Sequence, residues 1–111
     1  MNDENLFDRL KKLEYHQSLL LKMIQNTDKQ FYQLVVEKSL TEQEVTDFYK
    51  QCESMSKELE EQKAEGFVYF HPLYKKFTSR LHPNLQAEEV IQACLCQKLF
   101  LPLMQELKKY L

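Results

Sequence analysis

The sequence predicts an all-α chain: a multihelical bundle of five to six helices, two of them long, at about residues 4–25 and 42–65. Three observations carry this. The 111 residues include one glycine and three prolines. Sandwiches, hairpin meanders and phosphate-cradling loops need positive-φ positions that glycine supplies most cheaply, so a single glycine leaves little besides helices. The second is a pair of long segments whose apolar residues alternate at spacings of three and four, the seam of a coiled coil. The third is a set of start and stop signals placed between the segments. The length suits one domain covering residues 1–111.

The first helix, from Glu4 to Gln25, carries its seam at Leu6, Leu10, Leu13, Gln17, Leu20 and Ile24. Phe7, Leu21 and Met23 flank it, so the stripe is wider than a two-stranded zipper needs and implies more than one neighbour. Gln17 stands where an apolar residue belongs, a device that sets register at some cost in stability. Thr27 to Gln30 reads as a capping box opening a short second helix, about Asp28 to Lys38, with Phe31, Leu34 and Val35 inward.

Thr41 to Glu44 is a second capping box. It opens the third helix, Glu42 to Glu65, with a seam at Val45, Phe48, Cys52, Met55, Leu59 and Gln62. Gly66 sits where a left-handed residue stops a helix. Phe67 to Phe70 is apolar and β-prone but too short for a sheet, and reads as an extended linker lying on the core. Pro72 then opens a fourth helix, with proline favoured at the first helical position. It carries Leu73, Tyr74, Phe77 and Leu81 and stops before His82-Pro83. A fifth begins near Ala87, with Val90, Ile91, Cys94 and Leu95 inward. The last segment, Leu99 to Leu111, tolerates Pro102 only if its helix starts close by. The two seams could pair with each other or across a symmetry axis.

Charge and composition narrow the function. The net charge is −2, with acidic residues in excess up to Glu65 and basic residues in excess beyond it. That balance disfavours nucleic acid as the partner of the whole chain. One stretch, residues 69–82, points the other way: Tyr69, Phe70, His71, Tyr74, Lys75, Lys76, Phe77, Arg80 and His82 interleave aromatic and basic groups, as single-strand binders do, with Tyr74, Lys75, Lys76 and Arg80 as the candidate surface. The competing reading puts Phe70, Phe77 and Leu81 in the core and the cations against solvent or the acidic residues of the third helix.

No apolar run is long enough to span a bilayer, and the acidic start does not read as a secretory signal. Three cysteines, Cys52, Cys94 and Cys96, suit a reducing cytoplasm. Cys94 and Cys96 lack the spacing of a zinc pair, and Glu60-Glu61 and Glu88-Glu89 diverge on their helices. His16, His71 and His82 belong to no catalytic motif. The expectation is therefore a protein without catalysis, cofactor or metal, whose partners are copies of itself and an unidentified protein. A small-ligand-binding bundle is the further alternative.

Leu13-Glu14-Tyr15 with Leu19-Leu20, Phe31-Tyr32-x-Leu34, and Glu58-Leu59-x-x-Gln62-Lys63-Ala64-x-Gly66-Phe67-Val68 resemble the YhaI-like family, small uncharacterised proteins of Bacillus-type bacteria. The resemblance runs from about Arg9 to Tyr110 and is most specific over Gln62 to Phe70. It implies an all-helical chain in an intertwined homo-oligomer, a trimer being one candidate, and it brings no catalytic residues. The family pattern places a glycine between the last two helices where this chain has Lys98, so the expectation here is a weaker turn and more continuous helices.

Overall fold

A computed structural model describes residues 5–25 and 28–111. Six helices follow in order: α1 (Leu6–Met23), α2 (Gln30–Glu37), α3 (Glu42–Ala64), α4 (His71–Ser79), α5 (Ala87–Gln97) and α6 (Leu101–Lys108). No strand occurs among the described residues.

Local chemistry sets most of the boundaries. Asn5 caps α1, its Oδ1 accepting from the Asp8 N–H at 2.8 Å. Thr41 and Glu44 form the reciprocal box at the start of α3: the Glu44 N–H donates to Thr41 Oγ1 (3.1 Å) and the Thr41 N–H to Glu44 Oε1 (2.9 Å). Pro72 and Pro102 lie in the first turns of α4 and α6, where a missing N–H costs nothing.

The start of α2 differs from expectation. Thr27 lies outside the described residues, and Gln30 is the first residue of the helix rather than its third. The cap comes from elsewhere in the chain. Gln97, at the end of α5, turns its Oε1 onto the N–H groups of Phe31 (3.0 Å) and Tyr32 (3.3 Å). An α5 side chain thus supplies what a local Ser or Thr supplies in other helices.

Helix ends are where one glycine proves not to mean one left-handed position. Gly66 stops α3 at φ 93°, with the Phe67 N–H returning to Gln62 O (2.9 Å) and the Gly66 N–H to Lys63 O (3.0 Å). That is the Schellman arrangement. Ser39 (φ 57°) repeats it after α2, and Lys98 (φ 60°) after α5, where the Leu99 N–H reaches Cys94 O at 2.8 Å. Phe100 is also left-handed (φ 49°). The last two helices are therefore separate, and the expectation of continuity at Lys98 is corrected. The returning hydrogen bonds and the packing of Phe100 on Tyr49, ring centroids 5.9 Å apart, hold a turn that side chains disfavour.

The core lies where α2, α3, α4, α5 and α6 meet. Cys52, Met55 and Leu59 of α3 face Leu73 and Phe77 of α4, Val90, Ile91 and Cys94 of α5, and Leu103, Met104 and Leu107 of α6, all within one buried cluster. Phe31 stacks on Phe48 at 5.3 Å, and Phe48 meets Phe77 edge-on. The linker after Gly66 has neither helix nor strand, and only Phe70 is buried; Phe67, Val68 and Tyr69 are exposed, which corrects their placement on the core. Phe70 is held by its N–H donating to the Tyr110 hydroxyl at 2.8 Å.

α1 takes no part in this core. It has no buried residue, and its principal neighbour is α2. The molecule measures 68 × 26 × 19 Å with a radius of gyration of 17.6 Å, against about 13 Å for a compact chain of this length. The excess is the arm that α1 makes, about 27 Å long.

Candidate interaction surface

The two seams read from the sequence have opposite fates. In α3, Phe48, Cys52, Met55 and Leu59 are buried and Val45 packs against the same cluster. Its polar member, Gln62, donates to Glu58 Oε1 on its own helix at 3.4 Å. The α3 seam is thus filled within the chain, and it is not paired with α1 there.

In α1, Leu6, Leu10, Leu13 and Leu20 are 70, 49, 62 and 59% exposed, and Phe7 and Met23 are 65 and 74% exposed. Single exposed leucines are ordinary, but here they form a continuous apolar row on one helix face. The C-terminal end of α1 lies against α2, and the two helices make an elbow. Leu13, His16, Gln17, Leu20, Leu21, Ile24 and Val36 of α2 line a groove of about 230 Å³ there, almost wholly apolar. Gln17 spans the elbow, its Nε2 donating to the Val36 carbonyl at 3.3 Å. The seam glutamine thus already has a partner within the chain.

Val36 is not among the residues the sequence pointed to, and Tyr32 entered only through the family resemblance. Both are exposed and stand four apart, which forms a second apolar stripe on α2 beside the one that buries Phe31 and Leu34. That spacing was the available signal.

The basic and aromatic residues of α4 do not assemble into one cationic face. Lys76 Nζ pairs with Glu58 Oε2 of α3 at 2.9 Å. Tyr74 joins an aromatic group with His71 and Tyr110, ring centroids 5.9 and 6.0 Å away. Lys75 is exposed. Arg80 lines a cleft of about 180 Å³ with Glu44, Asp47 and His82 over a floor of Leu40, Phe48 and Leu85. The competing reading, cations facing the acid-rich third helix, holds for Lys76.

His82 is engaged at both ring nitrogens. Nε2 lies 2.5 Å from Glu44 Oε2, and Nδ1 accepts from the Asn84 N–H at 3.0 Å. The bonds from Thr41, with His82 adding to them, hold the Glu44 carboxyl below the usual carboxylate range. This cluster fastens the start of α3 to the α4–α5 loop, and Asn84 Nδ2 extends it to the Lys38 carbonyl at 3.2 Å. His71 sits in the aromatic group, and His16 lines the elbow groove. All three cysteines are thiols. Burial pushes Cys52 up and Cys94 up to about 12, so both stay protonated and poorly nucleophilic. Cys96 is half-buried.

Glu106 is the one buried charge among the described residues, 6% exposed. Lys63 of α3 (3.8 Å) and Lys109 of α6 (3.3 Å) flank it, so a carboxylate buried beside the core has two cations to compensate it.

No helix among the described residues is long and apolar enough to cross a membrane. Over residues 3–111 the chain matches a family described as a protein of unknown function, DUF1878. The chain belongs to this family. Membership thus covers α1, the elbow and the bundle alike, and it brings no assigned reaction, ligand or partner.

Proposed function

We propose that this DUF1878 chain is a cytoplasmic, non-catalytic interaction protein that associates with itself and with another protein through α1. The single observation that carries the reading is the bare apolar face of α1. Leu6, Phe7, Leu10, Leu13, Leu20 and Met23 together expose on the order of 700 Å², close to the roughly 800 Å² that a standard interface takes from each partner. Water contact over so much contiguous apolar surface is unfavourable for a monomer. The resemblance of Gln62 to Phe70 to the YhaI-like family, in which homo-oligomers are expected, agrees with this reading. The reducing environment of a cytoplasm suits the three thiols.

Light scattering on the full chain tests it. The expected result is a mass above that of one chain at micromolar concentration, falling toward one chain for Leu13→Lys. A strict monomer at that concentration overturns the proposal.

A further inference from the structure

The cleft between the start of α3 and the α4–α5 loop lies away from α1 and has a composition of its own. Its floor is apolar: Phe48 and Leu85 are buried and Leu40 is half-buried. Its mouth is charged, with Glu44 and Asp47 coming from α3 and Arg80 and His82 from the end of α4 and the loop.

The walls are fixed in advance. The His82–Glu44 contact fastens the loop to the first turn of α3, and Asn84 Nδ2 fastens it to the Lys38 carbonyl at the end of α2. His82 Nδ1 accepts from the Asn84 N–H, so its ring proton stands on Nε2, facing Glu44, and the ring is neutral. Both Glu44 oxygens are occupied, one by the Thr41 N–H and one by His82.

Two charges in the mouth are left over. Asp47 accepts from Gln43 Nε2 through Oδ1 at 2.8 Å and keeps Oδ2. Arg80 makes no ion pair or side-chain hydrogen bond among the described residues, although two carboxylates line the same cleft. A cation and an anion that share a cleft without meeting are both satisfied by a ligand that carries both signs.

We infer that this cleft is a binding site for a free apolar α-amino acid, taken as its zwitterion. The carboxylate sits on the Arg80 guanidinium, whose fork matches it. The ammonium donates to Asp47 Oδ2. The side chain lies on Leu40, Phe48 and Leu85. Size agrees with this. The cleft holds about 180 Å³, below the roughly 300–1,000 Å³ of sites for larger ligands and close to the roughly 150 Å³ of a cavity that takes one benzene ring. One side chain of leucine size fills it.

Charge separates this ligand from its chemical neighbours. An acid without an ammonium meets the Glu44 and Asp47 carboxylates. An amine without a carboxylate meets Arg80. The last residue of a peptide brings a carboxylate and a side chain, but its amide N–H leaves Asp47 without a counter-ion. The larger hollow of about 360 Å³ between α2 and α5 lacks the combination: its Glu37 and Glu89 are already engaged by Gln33 and Lys38, and no cation lines it.

Calorimetric titration of the full chain with L-leucine tests the site, with melting temperature as a second readout. Saturable binding of one leucine per chain is expected, with a rise in melting temperature. N-acetyl-leucine and leucinamide each lack one charge, and glycine leaves the floor bare, so each should bind at least tenfold more weakly. Arg80→Gln and Asp47→Asn should each weaken leucine binding at least tenfold. Both residues are exposed, so circular dichroism and the melting temperature without ligand should match the parent.

Failure of leucine, methionine and phenylalanine alike to bind at millimolar concentration overturns the inference. So does N-acetyl-leucine binding as tightly as leucine, which would assign the cleft to a peptide C-terminus, or leucine binding unchanged in both variants. The site does not depend on α1, so a monomer that binds leucine defeats only the self-association reading, and an oligomer that does not bind it defeats only this one.

Discussion

α1 and α3 carry the same pattern and do different work. Both are long, both alternate apolar residues at three and four, and both place one glutamine in the seam. In α3 the seam disappears beneath α4, α5 and α6; in α1 it stays in water. Periodicity states that a face seeks burial, but it does not state what will cover it. The deciding differences lie outside the two helices. α3 is followed by a stop, Gly66, and a buried residue, Phe70, that turn the chain back over its seam. The segment after α1 leads instead to α2, whose buried face, Phe31 and Leu34, belongs to the bundle.

The largest expected effect sets the two seams against each other. Leu59, 1% exposed in α3, should cost about 3 kcal/mol of unfolding free energy when replaced by alanine. Leu13→Ala in α1 should change it by less than about 0.5 kcal/mol when measured on dissociated chains. Denaturant titration at low protein concentration checks both. Equal losses would mean that α1 is covered within its own chain.

Next comes the joint between arm and bundle. Gln97→Leu removes the acceptor that serves the Phe31 and Tyr32 N–H groups. A loss of about 1–2 kcal/mol is expected, with faster amide exchange concentrated at the start of α2. Exchange rising equally through α3 would show that the cap supports the whole bundle instead.

The two helix stops give effects of opposite sign. A Cβ at Gly66 would meet nothing within 4 Å, so only its φ of 93° opposes substitution. Gly66→Val should destabilise by about 1 kcal/mol or more. Lys98→Gly relieves the same conformational cost after α5 and should stabilise by about 1 kcal/mol. Thermal melts of the two variants, compared with the parent, test both signs at once.

The smallest effect concerns how each long helix begins. Asn5 holds α1 alone, whereas Glu44 ties α3 to Thr41 and His82. The Glu44 carboxyl is held low, so its contribution is complete above the ordinary carboxylate range and fades as pH falls through its lowered native value. The parent should therefore exceed Glu44→Gln in stability near neutrality, and the gap should close on acidification below about pH 4. A gap that stays constant with pH would assign the effect to helix propensity.

What was readable from the residues was the local chemistry. Thr41 with Glu44, Gly66, Pro72 and Pro102 each act within a few positions of themselves, and each stands where its type requires. What escaped was non-local or ran against type. Gln97 caps a helix that begins 67 residues earlier, and no spacing rule connects them. Lys98 and Phe100 adopt a conformation that their side chains disfavour because the packing around them enforces it. On the surface, the cationic residues of α4 could be read as a patch until Lys76 was seen to meet Glu58. In the elbow, Val36 gained meaning only when α1 was placed beside it.

The cap from Gln97 also has a consequence for the order in which the protein is made. A chain growing from its N-terminus exposes α1 first, and α2 stays without its cap until residue 97 has emerged. By then nearly the whole bundle must be present for either to settle. The apolar arm is therefore made before the bundle it leans on, and it waits longest for an anchored base.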